Sequence, residues 1–171
     1  MKRTFLVLLS LLIIILTFSQ TSYDLGFSVL NDESGFNFAL RFGLESNVFN
    51  FSFDMSPKFG ENFELISITD VSAKIWDINE YLFLDVGLLW LNDAAYRGNF
   101  LYSGINANFQ NILAKFYVGY PFQRGENFLD YFVLKVGYTV PKPVDFIDDL
   151  KMELRLVNGR IDFSIFLVEP I

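Results

Sequence analysis

The chain has 171 residues, of which 52% are hydrophobic, 18% aromatic and 19% charged, and it contains no cysteine and no histidine. This length suits one domain with a sizeable core, and so many aromatic residues exclude a disordered chain. Without cysteine or histidine the chain cannot form a disulfide framework, a cysteine-ligated zinc site or a histidine-dependent catalytic triad. The formal net charge of −7 argues against a nucleic-acid partner, which requires a basic face.

Residues 1–19 have the pattern of a secretory signal peptide. A basic start is followed by an apolar run over residues 5–18, and Thr17 and Ser19 are spaced as the small residues of a signal-peptidase site. We expect cleavage after Ser19. An uncleaved anchor formed by residues 5–18 stays an alternative, although a spanning helix needs about 20 residues. The absence of cysteine near the site excludes a lipoprotein anchor.

From residue 22 onward the hydrophobic pattern has a period of two, which predicts β-strands. About ten strands of roughly eight to eleven residues follow one another, a length typical of membrane-spanning strands. We expect them to form one domain at 22–171, and the segment near 100–109 gives the weakest pattern. In chain order their apolar positions run from Tyr23 to Val29, Phe36 to Leu44, Phe49 to Met55, Val71 to Ile75, Leu82 to Trp90, Leu101 to Phe109, Ile112 to Tyr120, Phe132 to Val140, Leu150 to Leu156 and Ile161 to Leu167.

The opposite face of the same strands carries small, polar and charged side chains. Glycine, alanine, serine and asparagine are frequent there, and the charges within strands fall on this face as six bases and six acids. We expect these charges to pair inside a barrel, because an unpaired buried charge is costly. The residues predicted to form this charge network are Arg41, Asp54, Lys74, Asp85, Lys135, Glu153, Arg155 and Asp162.

Turn residues separate the strands. Tight turns are predicted where asparagine, serine or glycine fall between two alternating segments: Glu45-Ser46-Asn47, Gln110-Asn111 and Asn158-Gly159. Longer connections are expected at 56–62, 91–99, 121–129 and 141–148. Long and short connections alternate in the first part of the chain, which indicates an up-and-down meander with two different ends. The segment 141–148 breaks this alternation.

The size of the apolar residues indicates which way their face points. A soluble ligand-binding barrel turns its uncharged face inward, whereas an outer-membrane barrel turns it outward into lipid. The apolar face carries about forty side chains, mostly Phe, Leu, Ile, Val and Tyr, which is more than the interior of an eight- to ten-stranded barrel can hold. Amphipathic rings near strand ends are also typical of the girdles at membrane interfaces: Tyr23, Trp76, Tyr81, Trp90, Tyr120, Tyr131 and Tyr138.

A signal peptide followed by alternating strands such as FNFALRFGL, NVFNFSFDM and DYFVLKVGYTV resembles the small outer-membrane β-barrel proteins of bacteria. The resemblance covers residues 22–168 and is one of pattern, without a shared sequence motif. Such barrels usually end in an aromatic residue that the insertion machinery reads, whereas this chain ends in Glu169-Pro170-Ile171.

The resemblance implies an all-β fold, a single antiparallel up-and-down transmembrane β-barrel of about 8–10 strands. It also implies the lipid bilayer of the outer membrane and the outer-membrane insertion machinery as partners. The amino terminus and the tight turns would face the periplasm, and the longer loops would face outside.

The sequence offers few candidates for catalysis or metal binding. The enzymes among the outer-membrane barrels that this chain resembles rely on a histidine. Because the chain has no histidine, we expect no enzyme, and we expect no cofactor. We interpret Asp85, Glu153 and Asp162 as partners of inner bases rather than as a glycosidase pair. The acidic segments 31–33 and 145–149 lack the spacing of a calcium loop, and we expect no bound metal.

Two functional hypotheses stay open at this stage. One is a non-enzymatic outer-membrane β-barrel protein with a structural, surface-interaction or narrow-pore role. The other is a soluble periplasmic β-barrel or β-sandwich that binds an apolar ligand. In the first the phenylalanine rings point outward, and in the second they meet at the centre. A third possibility is attachment to the cytoplasmic membrane through residues 5–18.

Overall fold

The computed structural model describes residues 21–32, 35–59, 63–92, 97–121, 132–157 and 159–171. Within these ranges every regular element is a β-strand, and the predicted signal peptide lies outside them. The ten strands are β1 (Thr21–Asp32), β2 (Gly35–Ser46), β3 (Phe49–Phe59), β4 (Phe63–Asp77), β5 (Leu82–Asn92), β6 (Arg97–Phe109), β7 (Ile112–Pro121), β8 (Phe132–Val144), β9 (Ile147–Val157) and β10 (Arg160–Pro170).

The ten strands form one closed antiparallel barrel in which strands consecutive in the chain are neighbours. β1 closes the barrel by pairing with β10, where Tyr23 lies opposite Glu169 and Phe27 opposite Ile165. Closure gives every strand two partners and leaves no free edge. The predicted all-β, up-and-down barrel is thereby confirmed, with ten strands because the last hairpin, β9–β10, belongs to the wall.

The two ends of the barrel differ in their connections. The tight-turn end carries Thr21, Ile171 and the turns 47–48, 78–81, 110–111 and 145–146. The loop end carries the connections that follow β1, β3, β5, β7 and β9, of which 122–131 is the longest. The connections 33–34 and 158–159 are as short as the turns at the other end, so the tight turn predicted at 158–159 lies at the end opposite to the other two predicted tight turns. Local hydrogen bonds hold the first two turns: Ser46 Oγ accepts from the Phe49 N–H at 3.0 Å, and Asn79 Oδ1 accepts from the Leu82 N–H at 2.9 Å.

Several strands are longer than the sequence pattern predicted. β3 continues to Phe59 and β5 to Asn92, so parts of the expected connections 56–62 and 91–99 are strand. The weak pattern near 100–109 belongs to a full strand, β6. Gly159 has φ 72°, as a type I′ turn requires, while Asn158 and the segment 122–131 lie outside the described residues.

The prediction of a long connection at 141–148 was wrong. β8 continues to Val144 and β9 begins at Ile147, so the turn between them is short. The pairing register shifts between Pro141 and Val144, and Lys142 has φ 44°. Prolines lack the N–H that a regular ladder needs, and a bulge next to the strand end accommodates them without ending the strand.

The bulky apolar face points outward, as predicted. Phe38 is 78% exposed and Phe116 48% exposed, whereas Arg41, on the opposite face of β2, is 4% exposed. Between the strand ends, the outward positions of the described strands carry no charged residue. The fold is therefore a closed barrel with an apolar outer surface, and a β-sandwich with phenylalanines at its centre is excluded.

The inner face also holds an apolar cluster that the sequence reading did not predict. It fills the loop-end half of the interior, mainly from β4 to β8, and comprises Leu30, Ala39, Ile66, Ile68, Leu89, Leu91, Phe100, Tyr102, Tyr117, Val133 and Val157. Its side chains are almost completely buried. They occupy the same strand face as the inner charges, since Leu89 follows Asp85 and Gly87 at a spacing of two.

Candidate functional site

The polar part of the interior is built on five adjacent strands, β3, β2, β1, β10 and β9. Strand alternation turns their polar residues inward, and the register then brings opposite charges side by side. Arg41 on β2 lies directly opposite Asp54 on β3. Arg155 on β9 lies directly opposite Asp162 on β10.

Arg155 and Arg41 share one carboxylate at the centre of this wall. Arg155 Nη2 lies 3.0 Å from Asp54 Oδ2, and its Nε lies 3.3 Å from Asp162 Oδ2. Arg41 Nη1 lies 3.7 Å from Asp54 Oδ1 and 3.4 Å from Glu153 Oε1. We call this group the ionic cluster: Asp24, Arg41, Asp54, Glu153, Arg155 and Asp162, with Asp24 joined to Arg41 at 3.7 Å.

Neutral groups also contact the ionic cluster. The Ser28 hydroxyl donates to Asp54 Oδ1 at 2.5 Å and contacts the Ser164 hydroxyl at 2.7 Å. The Asn31 N–H donates to Asp162 Oδ1 at 3.0 Å. The Arg41 guanidinium also lies over the Phe166 ring, 4.3 Å from its centroid, a cation–π contact.

A second set of polar residues lies between the ionic cluster and the apolar cluster. Asp70 on β4 accepts hydrogen bonds from the Lys135 ammonium and the Tyr102 hydroxyl. The Tyr117 hydroxyl donates to Asn106 Oδ1 at 2.8 Å, and the Tyr102 and Tyr117 rings pack with their centroids 4.4 Å apart. The two tyrosines therefore place rings in the apolar cluster and hydroxyls among the charges.

Two glycines make room for these tyrosine rings. Gly87 lies opposite Tyr102, and Gly104 lies opposite Tyr117. A Cβ atom on either glycine would overlap the facing ring or its backbone. A glycine facing an aromatic ring across a strand pair is a recurring way to fill a narrow barrel.

The third polar region lies at the mouth of the tight-turn end. Lys151 Nζ and Glu45 Oε2 are 2.5 Å apart, and Lys74 Nζ lies 3.0 Å from Asp77 Oδ1. These two pairs are partly exposed, in contrast to the buried ionic cluster. Lys115 is 5% exposed and faces the same space.

The structure brings five of the eight predicted network residues into one cluster: Arg41, Asp54, Glu153, Arg155 and Asp162. The other three have different surroundings. Lys135 pairs with Asp70, Lys74 pairs with Asp77 at the mouth, and Asp85 makes no ion pair with any described residue. The prediction also left out Asp70, Tyr102 and Tyr117 as members of the polar interior.

Ion pairing and hydrogen bonding engage these groups with one another, although the ionic cluster holds four carboxylates against two guanidinium groups. The buried Ser28 and Ser164 hydroxyls are engaged with each other and with Asp54. Among the described residues no group of three or more acids, cysteines or histidines is arranged to hold a metal ion. No helix suited to crossing a membrane occurs in the described ranges.

Comparisons of the chain with models of protein families, with curated proteins and with solved structures found no significant match. Function is therefore inferred from the geometry of the barrel and from the sequence pattern.

Proposed function

We propose that this chain is a non-enzymatic β-barrel protein of the bacterial outer membrane, closed to ions, with a structural role in which it displays its loop-end connections outside the cell. The observation that carries the proposal is the outer wall. Large apolar side chains on it are exposed around the whole barrel, and such a surface is unfavourable in water. A bilayer provides the apolar surroundings that this wall requires.

The dimensions of the wall support a membrane location. A strand of eleven residues, such as β3 or β5, spans about 28 Å when each residue rises about 3.3 Å and the strand tilts by about 40°. The hydrocarbon core of a bilayer is about 30 Å thick. The strands have the length that a transmembrane barrel needs.

Exposed amphipathic rings lie near both ends of the barrel. Tyr23, Trp76, Tyr81 and Tyr138 are at the tight-turn end, and Trp90 and Tyr120 are towards the loop end. Rings of this kind favour the boundary between lipid and water. Tyr131, also predicted for a girdle, lies outside the described residues. The arrangement supports two interfaces, and the resemblance to outer-membrane barrels implies that the tight-turn end faces the periplasm.

The filled interior favours a closed barrel over a narrow pore. The ionic cluster crosses it on one side, and the apolar cluster fills the loop-end half on the other. Asp54 and Arg155 are 0–1% exposed at their side chains, so water has almost no access to the centre of the ionic cluster. Ion conduction would require these side chains to separate.

A soluble carrier of an apolar ligand is less well supported. Such a protein needs an apolar cavity inside the barrel. A large apolar groove, about 640 Å³ in volume, lies instead among outward side chains of β10, β1, β2 and β3, such as Phe27, Leu40 and Phe53. Acyl chains of a surrounding bilayer would fill such a groove.

Fractionation and gel mobility test the membrane location. Cells that express the full chain should carry it in outer-membrane fractions, and its extraction should require detergent. Unboiled samples should migrate differently from boiled samples, because a closed barrel resists the gel detergent. A water-soluble periplasmic pool without a mobility shift would contradict the proposal and favour the soluble alternative.

Electrical recording tests whether the barrel is closed. Purified chain inserted into planar bilayers should produce no regular conductance steps. Reproducible steps of one size would contradict the closed interior and favour the narrow-pore role. A blank recording is informative only if insertion is verified, for example by protease protection of the reconstituted chain.

A charge on the outer wall provides a test by mutation. Leu40 is at the middle of β2 and 56% exposed, whereas Val48 is 49% exposed in the following turn. We predict that Leu40→Arg lowers the free energy of unfolding from lipid vesicles by about 2–4 kcal/mol, because the new charge lies in hydrocarbon. The matched control Val48→Arg should cost about 0–1 kcal/mol. Equal effects in the two variants would contradict a bilayer around β2.

A further inference from the structure

A polar cavity opens at the tight-turn end of the barrel. It has a volume of about 200 Å³ and adjoins a second space of about 100 Å³. The two share Glu45, Phe83, Asn108 and Lys115 in their walls, and we call them together the vestibule. The larger space alone can hold several water molecules.

Lys115 lines both spaces of the vestibule. Its side chain is 5% exposed, and it makes no hydrogen bond or ion pair with any described residue. Two nearby carboxylates are already engaged, Glu45 with Lys151 at 2.5 Å and Glu153 with Arg41 at 3.4 Å. Lys115 lines the vestibule, so an acceptor bound in that space would stabilise its ammonium group.

An acidic group faces the vestibule two strands away from Lys115. Asp85 on β5 is 4% exposed and lines the larger space. Its Oδ2 lies 3.4 Å from the Tyr117 hydroxyl, whose shorter contact is with Asn106 Oδ1 at 2.8 Å, and no described base forms an ion pair with Asp85. Two side chains of opposite charge therefore border one small space, and neither is in ion-pair contact with a described residue.

The charges that line the vestibule balance. Three lysines and three carboxylates surround it: Lys74, Lys115, Lys151, Glu45, Asp85 and Glu153. A simple anion that approached Lys115 would be repelled by the carboxylates, and a simple cation that approached Asp85 would be repelled by the lysines. A molecule that carries both charges is attracted by both sides.

We propose that the vestibule binds a small zwitterion of the α-amino-acid class, whose carboxylate meets Lys115 and whose ammonium group lies towards Asp85. Glycine and alanine are small enough for the larger space. The site is formed by inner-wall residues, so it exists whether or not the barrel lies in a membrane, and its failure would leave the proposed function untouched.

Equilibrium dialysis with radiolabelled glycine tests the proposal on the purified full chain in detergent micelles. Glycine should bind saturably, and alanine should displace it. Acetate and methylammonium carry one charge each, and each should compete at least about tenfold more weakly, because one charge-assisted hydrogen bond is lost. Absence of saturable glycine binding, or competition by acetate as strong as by alanine, would overturn the proposal.

A pair of lysine variants locates the site. Lys115→Met replaces the apolar stem of the lysine with one of the same length and removes the ammonium group, and it should weaken glycine binding at least about tenfold. Lys142→Met removes an exposed lysine at the same end of the barrel and should leave binding unchanged. Unchanged binding in Lys115→Met, or equal loss in both variants, would overturn the assignment. If Lys115→Met does not form the barrel, the competition series on the unaltered chain decides.

Discussion

The two halves of the barrel interior are filled in opposite ways. On β9, β10, β1, β2 and β3 the inner face carries the ionic cluster, whereas on β4 to β8 its loop-end half carries the apolar cluster. Both sets of side chains occupy the inward positions of alternating strands, and both are almost fully buried. An inward position in a strand can therefore be filled either by a charged side chain that forms ion pairs or by an apolar side chain that packs against its neighbours.

This difference predicts how the stability of each half should respond to mutation. Apolar packing is the sum of many small contacts, so its loss is graded with the atoms removed. A buried ion pair adds little net stability while it is complete, but the loss of one partner leaves the other as an uncompensated charge. The ionic half should tolerate paired changes and fail on single ones.

Arg155→Met should have the largest effect. It leaves Asp162 without its arginine and deprives Asp54 of the closer of its two, at 3.0 Å. We expect the free energy of unfolding to fall by about 3–5 kcal/mol. Urea titration of the chain in lipid vesicles, followed by the fluorescence of Trp76 and Trp90, would measure it.

The matching double variant sharpens this prediction. Arg155→Met combined with Asp162→Asn removes the stranded carboxylate and keeps an acceptor for the Asn31 N–H. It should recover at least about half of the loss, because Asp54 is then the only carboxylate that has lost an arginine, and Arg41 stays 3.7 Å from it. Strictly additive losses would show that the ionic cluster behaves like ordinary packing.

Ile68→Ala probes the apolar half and should have the next largest effect. Ile68 is 1% exposed within the apolar cluster. Its truncation should cost about 3 kcal/mol, and the milder Ile68→Val about 1 kcal/mol, because the cost follows the volume removed. The same urea titration gives both values. A full-size loss from Ile68→Val would contradict graded packing in this half.

The broad features of this interior follow from strand alternation. The period of two separates Phe38, Leu40 and Phe42 from Ala39 and Arg41, and charges that share a face must lie together. The same reasoning could have found the apolar cluster. Leu89 and Leu91 continue the inward positions of Asp85, and their apolar character alone obscured which face they occupy.

The partners of individual charges could not be derived in this way. Adjacent strands reveal their register through turns, which accounts for Arg155 with Asp162 on one hairpin. Lys135 and Asp70 are on β8 and β4, and their contact depends on how the barrel closes and tilts. The two prolines in 141–148 led to the prediction of a loop. Local propensity cannot reveal a bulge that neighbouring strands stabilise.

Tyr102→Phe tests the boundary between the two halves. The ring packs on Tyr117 in the apolar cluster, while the hydroxyl donates to Asp70. The variant keeps the ring and leaves Asp70 with Lys135, so the free energy of unfolding should fall by only about 1 kcal/mol. Urea titration of Tyr102→Phe beside Ile68→Ala would measure the difference. A loss as large as that of Arg155→Met would place Tyr102 functionally in the ionic half.

Lys151→Met should have the smallest effect of these changes. The Lys151 and Glu45 side chains are 22% and 37% exposed, so water solvates Glu45 once its partner is gone. We expect a loss of about 0.2–1 kcal/mol that disappears in 1 M salt, where the Debye length is about 3 Å. The loss caused by Arg155→Met should persist in the same salt, because ions cannot reach the buried carboxylates. Unfolding titrations of both variants at low and high salt decide the matter, and equal salt sensitivity would mean that the ionic cluster is hydrated like the mouth of the barrel.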